Sequence, residues 1–394
     1  MTSGGLSPTR LARVGDVLAR HVDAGYCPGA VAVVARHGEV HIEATGHLAF
    51  DGAGSKTPMA ADTICRLGSM TKPIVAACAM TLVEDGTLRL DDPVDTHLPE
   101  LANMTVLVDP NGPLEDTVPA KRSITLRDLL TYTAGTGMVV GVEPGTVPIA
   151  GALAALEPPP PPDEWIRRLG ALPLLYQPGE RWMYDLAANV TVVLISRATG
   201  MSFGDALRER ICEPLGMKDT AFSVSGENIS RLATAYKLDA ATGRLLVEDG
   251  PNGRWSRPPV FESGGGGLVS TAADQLAFSS ALLAGGTQRG TRVLSRPSVT
   301  LMTTDQLTPA QHAFAGFPPY FQDFSWGLGM SVRTRRTQLG PSVGSYGWNG
   351  YYGTVWYSDP AEDMTAILML QRAEPPWLPI YVDFWTAVYQ AIDD

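Results

Sequence analysis

The sequence predicts an α+β fold in which an antiparallel sheet, built from both ends of the chain and flanked by terminal helices, accommodates an inserted all-helical subdomain. Three observations predict this fold. Strand-like patterns occur near both ends, helical patterns fill the middle, and 394 residues suffice for one large globule or two interleaved subdomains. We therefore assign residues 1–62 and 256–394 to the sheet subdomain and residues 63–255 to a mostly helical subdomain, with a cleft between them.

The N-terminal part of the chain predicts a helix followed by a hairpin. Residues 11–22 have helical apolar spacing, and two strands at 30–34 and 40–45 flank the turn at His37 and Gly38. A longer helix begins at Ser69 and ends before Gly86. Its apolar residues occupy more than one face, which predicts a buried helix.

The rest of the chain is predicted from similar patterns. Helices are predicted at 124–131, 165–170, 187–198 and 203–211, and the prolines at 158–162 predict a stiff surface spacer. After residue 261, a strand at 268–269 follows a run of four glycines, and residues 271–283 return to helical spacing. Strands at 353–357 and 364–370 and an amphipathic helix at 381–392 complete the prediction.

The composition restricts the class of partner. Hydrophobic residues make up 44% of the chain and charged residues 18%, so extensive burial is expected. A net charge of −11 without a basic cluster makes nucleic acid and anionic membranes poor partners, whereas a neutral or cationic small molecule is compatible. The chain has no signal-like or membrane-spanning segment, and its four irregularly spaced cysteines lie in apolar surroundings. We expect reduced thiols and a cytoplasmic location.

Ser69 and Lys72 form the first candidate site. Three residues apart at the start of a helix, they lie on one face and can share a hydrogen bond. The positive end of the helix disfavours a further positive charge on Lys72, and a lysine with a lowered pKa can accept the serine proton. The sequence leaves the protonation state of Lys72 open. A serine that merely caps the helix is the common alternative.

Two further elements strengthen the candidate site. Tyr184 stands in a polar loop just before a strongly apolar helix, where a phenol can be held rigidly in a cleft to relay a proton. The glycines around Trp348 precede a strand, and backbone N–H groups from such an edge can hold an oxyanion. A packed tyrosine and an ordinary sheet-edge turn are the structural alternatives.

In this order, the three elements resemble the serine β-lactamase and penicillin-binding protein fold family, and within it the family VIII carboxylesterases. The resemblance extends over nearly the whole chain and includes the stretches CRLGSMTKP at 65–73, ITLRDLLT at 124–131, YQPG at 176–179, PLGM at 214–217 and GGGGLVSTAAD at 264–274. It implies that Ser69 forms an acyl-enzyme and that Lys72 and Tyr184 move protons. It further implies an oxyanion hole formed by the backbone N–H groups of Ser69 and Tyr351.

Departures from the family pattern bear on the substrate. Where β-lactamases usually have a Lys-Thr-Gly triplet, this chain has Trp348, Asn349 and Gly350, so the cation that would bind a β-lactam carboxylate is missing. Asp185 stands where the esterase branch usually has serine. Its carboxylate either lies beside Lys72 and holds it protonated or points away. We expect these four residues to contact the substrate.

Three other patterns were weighed. The Gly-x-Ser-x-Gly pattern around Ser342 has no following helix and no later histidine, as an α/β-hydrolase elbow would require. The run of four glycines lacks the Gly-Lys-Ser/Thr sequence of a phosphate loop and is better explained as a strand edge that lines the cleft. His37 and His41 lack metal-ligand partners at suitable spacing, so no metal and no cofactor are expected.

These observations predict a serine carboxylesterase for small neutral esters with short to medium acyl groups. An amidase, a D-aminopeptidase or an acyltransferase on the same fold would use the same residues with a different leaving group or acceptor. A covalent penicillin-binding or β-lactamase-type protein is the alternative that would react with Ser69 and need not turn over. The sequence leaves the oligomeric state open.

Overall fold

A computed structural model describes residues 4–138, 147–313, 320–373 and 378–394. Within these residues, the largest sheet has seven antiparallel strands, whose order across the sheet is β3-β4-β5-β6-β7-β1-β2. In chain order they are β1 (Gly29–Arg36), β2 (Glu39–Gly46), β3 (Phe324–Trp326), β4 (Ser331–Arg333), β5 (Tyr346–Gly350), β6 (Thr354–Asp359) and β7 (Met364–Met369). The first hairpin thus lies beside the last strand, as predicted.

Both faces of the sheet are covered. Helices Arg13–Asp23 and Pro379–Tyr389 pack on one face, where Leu18 and Phe384 share a core with the outer side chains of β1 and β7. Helices Ala272–Leu283 and Thr71–Glu84 pack on the other face, and the ring of Phe278 meets Trp356 edge to face at 5.6 Å. This cover on both sides explains why every residue of β6 and β7 is buried.

Further helices connect and cover the sheet. The other α-helices of the described residues are Pro8–Leu11, Leu126–Thr131, Pro148–Ala154, Pro162–Gly170, Ala187–Thr199, Phe203–Leu207, Glu213–Leu215, Arg296–Met302 and Pro309–Ala313. The predicted proline spacer joins two of them, and its last proline begins the helix Pro162–Gly170. The α+β architecture predicted from the sequence, an antiparallel sheet flanked by terminal helices, is the architecture observed.

The middle of the chain is mostly helical, but the expectation that it contains helices alone needs correction. It also holds the short hairpin of Thr105–Leu107 with Thr117–Pro119 and the longer one of Ala235–Leu238 with Leu245–Asp249. Strands of three to five residues carry too little alternation to be detected by pattern. The subdomain boundaries after residues 62 and 255 stay predictions.

The buried helix that follows Ser69 is the element that positions the candidate site. A 3₁₀ turn, Gly68–Met70, runs into helix Thr71–Glu84, and Gly86 in a left-handed conformation follows the helix end, as predicted. Eleven of the fourteen helix residues are buried. The helix is therefore held by packing on all sides and cannot shift without disturbing the core.

The four cysteines are free and buried, and burial raises the pKa of each thiol to about 12. A thiolate nucleophile is therefore disfavoured. Among the described residues, no helix combines the length and the apolar character that a membrane crossing would need.

Candidate active site

Gly68 brings the loop that carries Ser69 against the sheet. Its φ of +55° lies in the left-handed region, and a Cβ at this position would lie 2.6 Å from the backbone N of Tyr351. Gly350 is equally constrained, because a Cβ there would lie 1.9 Å from the Leu67 carbonyl oxygen. The loop that carries Ser69 and the end of β5 therefore meet backbone to backbone, with two glycines allowing the approach.

Lys72 lies directly beside Ser69, as the three-residue spacing predicts. Its Nζ donates to Ser69 Oγ at 2.8 Å and to the carbonyl oxygen of Gly265. The same Nζ is 2.7 Å from Asp185 Oδ1. The lysine side chain is 0% exposed, whereas the Asp185 side chain is 36% exposed. Three oxygen atoms thus surround Nζ, two of which accept hydrogen bonds from it while the third forms an ion pair with it.

The surroundings of Lys72 raise its pKa rather than lower it. Burial does act to lower the pKa of Lys72, but the carboxylate of Asp185 and the phenol of Tyr184 outweigh burial and raise it. The structure thus decides between the two orientations of Asp185 that the sequence left open. Its carboxylate points at Lys72 and holds the ammonium protonated, so Lys72 donates to Ser69 in this state.

Tyr184 completes the cluster. Its ring centre lies 4.5 Å from Lys72 Nζ, and its hydroxyl accepts a hydrogen bond from Trp348 Nε1 at 2.8 Å. Aromatic neighbours fix the ring, with Trp182 stacked at 5.6 Å and Tyr132 edge-on at 5.8 Å. Burial raises the pKa of the Tyr184 phenol, while the charge of Lys72 acts in the opposite direction. The phenol is thus a neutral group in the resting site.

The residues predicted on β5 divide between two faces. Trp348 is buried beside Tyr184 and meets Trp326 edge to face at 4.6 Å. Asn349, one residue on, points to the other face of the strand and makes none of these contacts among the described residues. Tyr351 follows the strand with its side chain 53% exposed. The structure therefore brings Trp348, Gly350 and Tyr351 to the site and leaves Asn349 outside the cluster.

The glycine run forms one wall of the site, in agreement with the prediction that it lines the cleft. A Cβ at Gly265 would lie 2.9 Å from Asp185 Oδ1, so glycine leaves room for the carboxylate. The Gly265 N–H donates to Asn189 Oδ1 at 3.1 Å, and the Ser263 hydroxyl donates to the same oxygen at 3.0 Å. Sequence analysis missed Asn189, although a buried amide in an otherwise apolar helix is a detectable signal.

The lookalike patterns do not form sites. Ser342 lies in a turn between β4 and β5 and is followed by a strand, not by the helix of a nucleophile elbow. His37 lies in the β1–β2 turn with a φ of +50°. His41 Nε2 is 2.8 Å from Glu43. The described residues contain no group of three or more His, Cys, Asp or Glu side chains arranged to hold a metal ion.

Comparison with known proteins agrees with the geometry. A family model described as Beta-lactamase matches residues 14–386. Protein Rv1367c of Mycobacterium tuberculosis is 40% identical over 358 residues, which cover 89% of this chain and 87% of the relative. Esterase EstB of Burkholderia gladioli is 31% identical over 421 residues, covering 99% of this chain and 100% of the esterase.

A solved structure gives the same fold. That of EstCE1, described as a hydrolase with promiscuous acyltransferase activity, has a TM-score of 0.80 and 24% identity, covering 97% of this chain and 99% of that chain. The match spans both the sheet and the helical insertion, so the whole architecture is shared. The chain belongs to the beta-lactamase family, and its esterase relative supports serine hydrolase activity on this fold.

Proposed function

We propose that the protein is a carboxylesterase of the family VIII type that hydrolyses small neutral esters through an acyl-enzyme on Ser69. One observation carries the proposal: Lys72 Nζ lies 2.8 Å from Ser69 Oγ, in a buried cluster with Tyr184, next to the backbone amide of Tyr351. A nucleophile, proton-transfer groups and an oxyanion-binding edge are the parts that acyl transfer requires.

The reaction proceeds in two steps. Ser69 Oγ attacks the ester carbonyl and its proton passes to the Lys72–Tyr184 pair, while the N–H groups of Ser69 and Tyr351 bind the oxyanion. The alcohol leaves with a proton from the same pair. Water then attacks the acyl-enzyme, the pair removes its proton, and Ser69 is released with the acid. No metal or cofactor takes part in this scheme.

The substrate class follows from what lines the site. Trp348 donates to the Tyr184 hydroxyl and packs on Trp326, so this side of the site is aromatic and uncharged. A lysine at this strand position would bind a carboxylate, and its absence favours a neutral acyl group. Esterase EstB of Burkholderia gladioli, which aligns over the whole of this chain, supports ester hydrolysis as the reaction.

The test is hydrolysis of a short-chain p-nitrophenyl ester beside a chromogenic cephalosporin, with wild type and Ser69→Ala in parallel. We expect ester turnover that is lost in Ser69→Ala, and losses of about 10²–10⁴-fold in Lys72→Ala and Tyr184→Phe, since general acid–base groups typically contribute this much. Mass spectrometry of the quenched reaction should find the acyl group on Ser69. Turnover at the wild-type rate in Ser69→Ala would refute the assignment of Ser69 as the nucleophile.

An acyltransferase is the second candidate, because EstCE1, which shares the fold, is described as having promiscuous acyltransferase activity. Transfer differs from hydrolysis only in that an alcohol replaces water in the second step. Adding a primary alcohol to the ester assay separates the two reactions. A new ester formed at the expense of the acid would favour the transferase, whereas unchanged acid release would favour the hydrolase.

A further inference from the structure

As an ammonium, Lys72 has no capacity to accept a proton. Its Nζ donates hydrogen bonds to Ser69 Oγ and the Gly265 carbonyl oxygen, and it forms an ion pair with Asp185 Oδ1. An ammonium that donates to the nucleophile cannot also deprotonate it. If Ser69 is the nucleophile, as the proposed function has it, one proton must first leave Lys72.

We propose that Asp185 is a positioning residue that acts through Lys72 by holding this proton while Ser69 reacts. Asp185 Oδ1 lies 2.7 Å from Nζ, which is a distance for direct proton transfer, and no other carboxylate of the described residues contacts Nζ. This inference rests on the proposed function and extends it, because it assigns a role to the residue that stands between Tyr184 and the helix Ala187–Thr199.

The proton transfers balance. A proton moves from Nζ to Oδ1, leaving a neutral amine and a carboxylic acid. As Oγ bonds to the carbonyl carbon and the carbonyl electron pair moves to oxygen, the amine takes the Oγ proton, directly or through Tyr184. When the bond to the alcohol breaks, the ammonium gives that proton to the leaving oxygen, and Asp185 then returns its proton to Lys72. The second step with water repeats the sequence.

The surroundings of Asp185 suit this role. The carboxylate is 36% exposed while Lys72 is fully buried, so Asp185 links the buried amine to solvent. Gly265 carries no Cβ that would intrude on Oδ1. The other titratable groups that face Asp185 are Tyr184, Tyr132 and Glu157. Burial, then the charge of Asp185, raises the pKa of Glu157, and Arg254 opposes the rise.

The pairing of Lys72 with Asp185 determines in which direction the pH dependence of the Ser69 reaction should move when Asp185 is replaced. With Asp185 present, the proton that leaves Lys72 has a carboxylate acceptor 2.7 Å away. With an amide there, this acceptor is gone and Lys72 must lose its proton to solvent, which an ordinary ammonium does only at high pH. In a plot of the Ser69 reaction rate against pH, the acidic limb is the range in which the rate rises with pH. Removal of the Asp185 carboxylate should move this limb to higher pH. Burial opposes the move only in part, because it acts to lower the Lys72 pKa.

The experiment measures phosphonylation of Ser69 by a p-nitrophenyl phosphonate between pH 5 and pH 10, from p-nitrophenol release and the adduct mass. This probe reports how readily Ser69 loses its proton, independently of which ester is hydrolysed, and Ser69→Ala is the blank. Asp185→Asn keeps the size and an acceptor oxygen. We expect its acidic limb to lie higher by about one pH unit or more, with a loss of roughly tenfold or more at pH 6.

Two variants make the result specific. Asp185→Glu restores a carboxylate and should return the limb toward that of wild type, whereas Glu157→Gln removes a nearby carboxylate that does not contact Lys72 and should leave the limb in place. A rate of Asp185→Asn that matches or exceeds wild type at every pH, or falls equally at every pH, would overturn the proposal. Reaction of Ser69 with the phosphonate but not with esters would instead count against the proposed function alone.

Discussion

Replacement of Gly68 by alanine tests whether the nucleophile loop and the end of β5 must touch. Gly68 has a φ of +55°, and an alanine Cβ would lie 2.6 Å from Tyr351 N, roughly 1 Å short of ordinary contact distance. The neighbouring contacts are with Gly350 backbone atoms at 3.3 and 3.4 Å. Because backbone surrounds the site of the new methyl group, the loop and the strand must separate.

The expected magnitude has two parts. Left-handed backbone costs an alanine about 1–2 kcal/mol. Separation of the strand from the loop moves the Tyr351 N–H away from the carbonyl oxygen that it is proposed to bind, and loss of one oxyanion donor typically lowers kcat about 10²–10³-fold. We therefore expect a modest loss in the free energy of unfolding and a large loss in kcat.

Gly86→Ala is the matched control. Gly86 also has a positive φ, +81°, but no atom lies within 4 Å of the added Cβ, and it stands at the far end of the same helix. Urea unfolding and p-nitrophenyl ester kinetics on both variants distinguish the cost of a left-handed alanine from the effect of pushing the Ser69 loop away from β5. An unfolding loss in both variants, at least as large in Gly68→Ala, with kcat reduced only in Gly68→Ala, would support the reasoning. A kcat for Gly68→Ala equal to that of Gly86→Ala would refute it.

Two further predictions concern the cluster and its chemistry. Trp348→Phe removes the N–H that donates to the Tyr184 hydroxyl at 2.8 Å while keeping an aromatic ring. In steady-state kinetics, kcat should fall about tenfold and KM should change little. An unchanged kcat would mean that this hydrogen bond does not orient the phenol. Incubation with a chelator should leave ester hydrolysis unchanged in the same assay, and inhibition reversed by added metal would contradict a metal-free mechanism.

Much of the fold was predictable because its signals are local. The first hairpin combines an apolar strand, the turn at His37 and Gly38 and an alternating strand, and the buried helix after Ser69 is long and is followed by a glycine. The small hairpin Ala235–Leu238 with Leu245–Asp249 was not predicted, because its second strand leaves Leu246 and Val247 exposed. Exposed apolar residues weaken the alternation from which strands are recognised.

The site was predictable as a set of residues but not as an electrostatic arrangement. The spacing of Ser69 and Lys72 within one helix turn determines their contact, whatever surrounds them. The orientation of Asp185 depends instead on Gly265, some eighty positions later, which leaves space for the carboxylate. The direction in which the Lys72 pKa shifts depends on that orientation, which the sequence pattern alone leaves open.

The position of β1 between β2 and β7 has a consequence for how the enzyme is assembled. Val33 in β1 pairs with Ile367 in β7, so the sheet closes only after more than three hundred intervening residues have been synthesised. Ser69 likewise meets its partner edge at Tyr351 only then. Contacts so distant along the chain slow folding, because a long loop must be closed before they form. A nascent chain therefore carries Ser69 long before it has the strand end against which the Ser69 loop packs, and the proposed site stays incomplete until residue 351 has been added.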